Sequence, residues 1–198
     1  LADNEEESDV SFAETKIALG AIKNKDDEDK KLLANLMNIE KVKKQIEPDK
    51  SFSIVNLKES INNLDKETKI KLIFISLSKM YKSNYLENLE SIVKYASEFL
   101  KDSNETKFKE KLLLALDYYG GYISFKKEKI TDSYIKWKNI FNSVNLEDYA
   151  LDYYLNYAYL LTSSDINIEN YEELAKECLK KITEYENMPH KAYFKEIL

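Results

Sequence analysis

The sequence is poor in the residues that turn a chain, because its 198 residues include only three glycines and two prolines. A sheet protein needs turn residues at many points, so this scarcity favours long helices and predicts an all-α fold. The sequence also lacks the run of about 18 apolar residues that a membrane-spanning helix requires. We therefore expect no transmembrane segment in this chain.

Arginine is absent, since all 30 basic residues are lysines. Bidentate recognition of guanine and phosphate relies on the guanidinium fork, so its absence disfavours specific nucleic-acid binding. Residues 1–30 hold 10 acids and 4 lysines, which account for the whole net charge of −6. The remaining 26 acids and 26 lysines cancel, so the body offers no cationic surface that would follow phosphates. We predict no nucleic-acid partner.

Histidine and cysteine occur once each. His190 follows Pro189 at a predicted helix start, which favours a capping or surface role over that of a catalytic base. Cys178 shares a helix face with apolar residues, which predicts a buried core thiol. The acidic run at 26–29 lacks the glycine and the glutamate of a calcium loop. We predict no catalytic residue, no metal site and no cofactor, while paired carboxylates from distant parts of the chain stay an open alternative.

Apolar residues recur at helical spacing along nearly the whole chain. Residues 1–9 are acidic and predict a disordered tip. Residues 10–64 read as an aromatic-poor helical segment, and residues 67–198 as a module that holds all 15 tyrosines and the one tryptophan. We predict about ten helices, at about 10–23, before Pro48, and at 54–64, 67–82, 85–100, 106–125, 132–144, 146–162, 170–186 and 190–198. Three of them begin with an asparagine and an acid three residues on: Asn84 with Glu87, Asn145 with Asp148, and Asn170 with Glu173.

The helices of the tyrosine-rich module are of two kinds. In 132–144 the apolar side chains lie within roughly 120° of the helical wheel, which predicts a solvated back. In 146–162 they spread over roughly 240°, so this helix must contact neighbours on several sides, as an inner helix of a helical solenoid does. Four tyrosines fall in that apolar arc and are predicted to be packed: Tyr149, Tyr153, Tyr154 and Tyr157.

The second helix of each predicted pair carries a triplet at spacing i, i+4, i+7: Leu89/Val93/Ala96, Ser133/Trp137/Ile140 and Ala175/Leu179/Ile182. The triplets recur after 44 and 42 residues. Together with Gly120 in the first helix and Pro189 after the last pair, they resemble the tetratricopeptide family over about residues 67–190, although that family repeats about every 34 residues. The resemblance implies stacked antiparallel helix pairs that form an α-solenoid. The alternative is an irregular helical bundle without a repeat.

The candidate binding residues lie on polar strips of the two predicted inner helices. Tyr159 falls outside the apolar arc of 146–162 and shares the polar arc with Asp152 and Asn156. The equivalent strip of the preceding inner helix carries Asp117, Gly121 and Ser124. In a helical solenoid such strips line the groove, so we predict a partner-binding surface from these six residues. For Tyr159 the alternative is a semi-exposed surface tyrosine without a role.

These patterns favour a non-enzymatic scaffold that binds another protein or a peptide in a helical groove, with Tyr159 as the aromatic anchor. A composition rich in lysine, asparagine, isoleucine and tyrosine, without arginine, looks like that of helical cell-envelope proteins of spirochaetes and similar bacteria. That resemblance implies export to the periplasm or the cell surface and attachment through flanking segments, while a cytoplasmic location stays open. We also expect chain beyond residue 198, because the sequence stops inside an amphipathic pattern with Ile197 and Leu198 apolar. Two other functions also stay open: a surface adhesin or lipoprotein that binds a host molecule through its outer face, and a helical enzyme with a carboxylate cleft.

Overall fold

A computed structural model describes residues 37, 46, 52–104, 108–145, 147–163 and 167–187, without the side chain of Ser163. Over these ranges the chain forms helices joined by turns, which confirms the predicted all-α class for them. The helices follow in the order α1 (Ile54–Ile61), α2 (Lys66–Lys82), α3 (Leu86–Lys101), α4 (Lys109–Lys126), α5 (Ile130–Ile140), α6 (Ala150–Ser163) and α7 (Tyr171–Asn187). The acidic tip, the predicted helices at 10–23 and 190–198, and His190 lie outside the described residues.

The seven observed helices lie where the periodicity places them, to within about one turn. The largest differences flank the connection between α5 and α6. Helix α5 ends at Ile140 rather than 144, and α6 begins at Ala150 rather than 146. The N–H groups of Ser143 and Val144 both bond to the carbonyl oxygen of Ile140, so the chain turns there instead of continuing the helix.

Contacts divide the chain into two compact units, Leu1–Ile75 and Ser76–Leu198, with the division inside α2. In the first unit, Ser53 is the N-cap of α1. Ahead of α2, Oδ1 of Asp65 accepts the N–H of Thr68 at 2.9 Å, and Oδ2 accepts its hydroxyl at 2.7 Å. These hydrogen bonds stabilise the ionised carboxylate and lower the pKa of Asp65. The predicted domain ranges, 10–64 and 67–198, stay predictions.

The second unit consists of helices that pack against their neighbours in the chain. Helix α4 packs along α5 and α6 packs along α7, while α3 contacts α4 and α5 contacts α6. The rings of Tyr154 and Tyr185 lie 6.3 Å apart, so the start of α6 meets the end of α7 and the two helices are antiparallel. The tetratricopeptide-like repeat itself stays a prediction.

The close approach of α4 and α5 depends on Gly121. A Cβ at this position would lie 2.2 Å from Nε1 of Trp137, closer than two nonbonded atoms can come. The carbonyl oxygen of Gly121 also accepts the hydroxyl of Ser133 at 2.8 Å. The indole N–H of Trp137 donates to the carbonyl oxygen of Tyr118 at 3.1 Å, which fixes the ring against α4. Gly121 therefore allows α4 and α5 to approach closely.

Two helices end in a left-handed residue that is not glycine. Asn84 and Glu128 both have φ of 59°. After α2, the N–H of Tyr85 bonds to the carbonyl oxygen of Met80 and that of Asn84 to Tyr81, which is the Schellman pattern. Asn84 therefore ends α2, and its predicted role as the N-cap of the next helix is wrong, because Tyr85 holds that position without a side-chain cap. Asparagine tolerates the left-handed region better than most residues, which explains its presence there.

The predicted triplet is buried throughout in α5 and in part in α3, where Val93 is half-buried. Ser133, Trp137 and Ile140 are all buried, and in α3 Leu89 and Ala96 are buried. In α7, however, Leu179 is 56% exposed, and the preceding residue, Cys178, is buried instead. The third triplet therefore departs from the predicted register.

The apolar arc of α6 is only partly buried. All four tyrosines that were predicted to be packed are buried: Tyr149, Tyr153, Tyr154 and Tyr157. Leu151 and Leu155, by contrast, are 36% and 48% exposed, so the prediction that the whole arc contacts neighbouring helices is wrong for these leucines. Helix α6 packs along α7 and contacts α5, and side chains of α2 and α4 also reach it, but these neighbours cover only part of its circumference.

Two of the packed tyrosines of α6 donate hydrogen bonds to carbonyl groups in the last turn of α5 and just after that helix. Tyr153 donates to the carbonyl oxygen of Trp137 at 2.6 Å, and Tyr154 donates to that of Val144 at 2.7 Å. Carbonyl groups near a helix C-terminus lack intrahelical donors, so these hydroxyls satisfy them. The hydroxyls of Tyr149 and Tyr157 have no hydrogen-bond partner among the described residues.

Candidate partner-binding face

The hydroxyl of Tyr81, in the last turn of α2, connects three helices. It donates to Oδ2 of Asp152 on α6 at 2.7 Å, and its oxygen lies 2.6 Å from the hydroxyl oxygen of Tyr118 on α4. An ionised carboxylate can only accept, so the proton of Tyr81 points to Asp152. The hydroxyl of Tyr118 is then the donor to Tyr81. The carboxylate of Asp152 therefore fixes the direction of both hydroxyl protons, those of Tyr81 and Tyr118.

The side-chain amide of Asn156 extends this series of hydrogen bonds at its other end. Nδ2 of Asn156 lies 3.5 Å from the hydroxyl oxygen of Tyr118 and donates to it. Burial is the largest cause that raises the pKa of Tyr81 and of Tyr118, so both hydroxyls keep their protons at neutral pH. The order of donation therefore runs from Asn156 through Tyr118 and Tyr81 to Asp152.

Aromatic rings surround this hydrogen-bonded chain. Tyr81 meets Tyr122 edge to face with ring centroids 4.8 Å apart, and Nζ of Lys126 lies 5.5 Å from the ring centroid of Tyr122. One turn further along α4, Phe125 meets Tyr159 edge to face at 5.9 Å. Beneath these residues, the buried ring of Tyr118 stacks on that of Tyr149 at 4.6 Å. The accessible rings thus rest on a packed aromatic layer.

We call the accessible part of this arrangement the tyrosine face. It consists of six residues from α2, α4 and α6: Tyr81, Tyr122, Phe125, Asp152, Asn156 and Tyr159. Asp152 and Tyr159 are exposed, and the other four are half-buried. Tyr159 is the most accessible of its aromatic residues, at 61%. The face combines rings, one carboxylate and one carboxamide, which are groups suited to contact with a polypeptide.

The predicted binding residues separate into two places in the structure. Asp152, Asn156 and Tyr159 lie on the tyrosine face. Asp117 and Gly121 instead face α5, where the charge of Lys136 acts on Asp117 and Trp137 covers Gly121. Gly121 is buried, so its predicted place on an exposed strip is wrong, because α5 packs directly on this part of α4.

Ser124, the remaining predicted residue, is half-buried, and its carbonyl oxygen accepts the N–H of Lys129 at the end of α4. Its predicted role in binding stays a prediction, as do the roles of the three predicted residues on the tyrosine face.

Sequence patterns did not identify Tyr81, Tyr122 and Phe125. Tyr122 and Phe125 follow Tyr118 at spacing i, i+4, i+7, which looks like one side of a core stripe. Only Tyr118 is buried, and the other two lie at its rim. Tyr81 lies in the last turn of α2, just before the left-handed turn at Asn84. No sequence pattern predicts a role for a residue at this position. The pairing of these residues depends on which helices meet, and local periodicity does not contain that information.

The one cysteine of the chain lies in α7. Cys178 is fully buried, which confirms the predicted core thiol, and burial raises its pKa to about 12. A thiol with that pKa is protonated at neutral pH and is a weak nucleophile. Over the described ranges, no group of three or more His, Cys, Asp or Glu side chains is placed to hold a metal ion. In the same ranges, no helix has the length and apolar character to cross a membrane.

Comparison with known proteins finds no matching family model, no matching curated protein and no matching solved structure. The tyrosine face is therefore interpreted from its own geometry and chemistry.

Proposed function

We propose that this chain is a non-enzymatic protein-interaction module that binds a protein or peptide segment on the tyrosine face. The observation that carries the proposal is the meeting of α2, α4 and α6 at a hydrogen-bonded centre surrounded by accessible aromatic rings. Tyrosine is enriched among the residues that dominate binding energy at protein interfaces. An isolated surface tyrosine needs no such explanation, but a set of rings from three helices is a continuous surface.

Pre-organisation supports this proposal. The hydroxyl of Tyr81 is held from two sides, by Asp152 and by Tyr118, and its ring contacts that of Tyr122. Immobilising a free side chain on binding costs about 0.5–1.5 kcal/mol, and much of that cost has already been met for rings held in this way. A partner would therefore find part of the surface already ordered.

The mechanism we propose places a helix or an extended segment across the tyrosine face. Tyr159 is the aromatic anchor, because it is the most accessible ring of the face. Asp152 accepts from a donor of the partner, and the carboxamide of Asn156 can both donate and accept, so the two side chains fix the register of the bound segment. Residence of the protein in a bacterial cell envelope is part of the proposal and rests on composition alone.

Two exposed tyrosines provide a matched test of this proposal. Tyr159 on α6 is 61% exposed and Tyr171 on α7 is 44% exposed, and only Tyr159 belongs to the tyrosine face. The full chain, Tyr159→Ala and Tyr171→Ala would each be immobilised and exposed to extract from the cells that produce the protein. We expect one protein to be retained by the full chain and by Tyr171→Ala, and to be lost with Tyr159→Ala.

The opposite result would assign binding to another surface. If Tyr159→Ala retained the protein as well as the unchanged chain did, the tyrosine face would not be the binding site. An adhesin that binds through its outer face would give that result. Matching melting curves for the two variants would show that a lost band reflects the missing ring rather than an unfolded chain.

A further inference from the structure

Asp152 is the charged residue of the tyrosine face, and it has no counter-ion in the described part of the chain. The residue is exposed, and its Oδ2 accepts the hydroxyl of Tyr81 at 2.7 Å. Its other oxygen, Oδ1, accepts no hydrogen bond from a described residue, and no lysine in the described ranges forms an ion pair with it. Because a carboxylate can accept about four hydrogen bonds, most of the acceptor capacity of Asp152 is available to a partner.

A second acceptor lies one helical turn further along α6. Asn156 donates to the hydroxyl of Tyr118 through Nδ2, and its Oδ1 accepts no hydrogen bond from a described residue. Residues four apart on a helix lie on the same side, with their Cβ atoms about 5–6 Å from each other. The carboxylate of Asp152 and the carboxamide oxygen of Asn156 can therefore both accept from one group that carries several donors.

The aromatic rings beside these acceptors provide a separate observation that points to a cation. The rings of Tyr81 and Tyr122 meet with their centroids 4.8 Å apart, and the hydroxyl of Tyr81 contacts Asp152. Nζ of Lys126 lies 5.5 Å from the ring centroid of Tyr122, so one ring of the face already contacts a positive charge of the chain itself. The negative face of an aromatic ring attracts a cation, as a carboxylate does. Rings and carboxylate therefore favour the same kind of partner group.

On the basis of the proposed function, we infer that the segment bound on the tyrosine face presents an arginine side chain to Asp152 and Asn156. A guanidinium group is planar and carries five donors, so one group can donate to both side chains and lie with its plane against a neighbouring ring. An ammonium group is compact and strongly hydrated, and it has no plane to place against a ring. These 198 residues contain no arginine, so a second copy of them cannot supply the guanidinium group.

Three small probes test this inference with the intact chain. The first is Nα-acetyl-arginine N-methylamide. Its citrulline counterpart keeps the shape and removes the charge, and its lysine counterpart keeps the charge and removes the planar group. Amide NMR spectra would be recorded during each titration. We expect saturable shifts at Asp152, Asn156 and Tyr122 with the arginine probe, weaker binding of the lysine probe, and no saturable shift with the citrulline probe.

Two matched variants identify the carboxylate that binds the charge. Asp152→Asn removes the charge and keeps an oxygen that can accept from Tyr81. Asp132→Asn removes an exposed carboxylate of α5 that lies outside the tyrosine face. The first should weaken binding of the arginine probe by about three- to tenfold, as expected for the loss of a charge-assisted hydrogen bond at an exposed site, and the second should leave it unchanged. Equal affinity of the two variants, or lysine or citrulline probes that bind as tightly as the arginine probe, would overturn the inference.

The titrations also separate this inference from the proposed function. If Tyr159→Ala loses the partner from extract while the arginine and citrulline probes bind alike, the face binds a segment without using an arginine, and only the inference fails. If Tyr159→Ala retains the partner, the proposed function fails, and the inference fails with it.

Discussion

Adding one methyl group at Gly121 is the sharpest perturbation that the structure offers. Gly120 and Gly121 are adjacent in α4, and in both the change to alanine improves helix propensity by about 1 kcal/mol. Their surroundings differ. The nearest atom to a Cβ at 120 is Cε of Lys136 at 3.3 Å, near the end of a flexible side chain. A Cβ at 121 would meet the indole of Trp137 at 2.2 Å.

The expected change in the free energy of unfolding depends on how tightly Trp137 is held. This ring is fully buried and donates to the carbonyl oxygen of Tyr118, so it cannot move without losing contacts. Overpacking of a core costs about 1–3 kcal/mol, and a lost hydrogen bond costs about 1 kcal/mol. After the gain in propensity, Gly121→Ala should destabilise the second unit by about 1–3 kcal/mol. Gly120→Ala should leave stability unchanged or raise it by up to about 1 kcal/mol.

The assay can follow Trp137 itself, because it is the only tryptophan in the chain. Urea unfolding monitored by its fluorescence should separate the two variants by about 1–4 kcal/mol. Thermal melting should separate them by roughly 2–16 °C, given that about 1 kcal/mol shifts the melting temperature of a protein of this size by about 2–4 °C. Equal stability of the two variants would refute the close packing of α5 on Gly121.

Four further predictions test other parts of the structure. Trp137→Ala should lower the unfolding free energy by about 3–5 kcal/mol in urea denaturation, because it removes a fully buried ring. Glu128→Gly should raise it by about 1 kcal/mol, because glycine adopts the left-handed φ of 59° without strain, and Asn84→Gly should raise it less. Tyr81→Phe should cost about 1–3 kcal/mol, since Asp152 and Tyr118 both lose the hydroxyl that joins them. Circular dichroism should show stability falling as the pH rises above about 10, because burial raises the folded-state pKa of Tyr118, Tyr153 and Tyr157 above their unfolded values.

Each of these predictions has its own control. For the capping residues, a larger gain from Asn84→Gly than from Glu128→Gly would contradict the account of left-handed strain. For Tyr81, the matched change is Tyr85→Phe, which alters a 40% exposed tyrosine and should be neutral. For the pH dependence, absorbance at 295 nm counts ionised tyrosines. Ionisation of most of them near pH 10 with unchanged circular dichroism would show that these rings are not buried. A Trp137→Ala melt close to that of the unchanged chain would contradict the packing of α5.

Local sequence patterns predicted the helices and much of the core. Helix α4, for example, follows from apolar spacing alone, and the burial of Tyr153 and Tyr157 follows from the wheel of α6. These features depend on which side of a helix is apolar, and a helical wheel represents that directly.

Patterns failed where the answer depended on which helices become neighbours. On a wheel, Gly121 is a residue without a side chain on a polar strip, but the structure uses it as the point where Trp137 approaches α4. Leu151 and Leu155 belong to the apolar arc of α6, yet they are exposed, because α5 and α7 cover only part of that arc. Burial of an apolar side chain is favourable, but an apolar side chain does not show that a neighbouring helix is present to bury it.

The tyrosine face illustrates the same limit for the candidate site. Asp152 and Asn156 were identified as polar positions, but their partners Tyr81 and Tyr118 lie on α2 and α4 and are distant in sequence. Only a tertiary arrangement shows that Tyr81 donates to Asp152. The proposal of a binding face therefore combines residues predicted from sequence with residues that the structure supplied.

Side-chain footprinting of the complex tests most directly whether a partner occupies the tyrosine face. Hydroxyl radicals modify accessible aromatic rings, so the chain would be oxidised alone and together with the protein that it retains from extract. The account predicts protection of Tyr159, Tyr122 and Tyr81, with unchanged modification of Tyr171. Protection of Tyr171 together with unchanged modification of Tyr159 would place the partner on α7 and contradict the account.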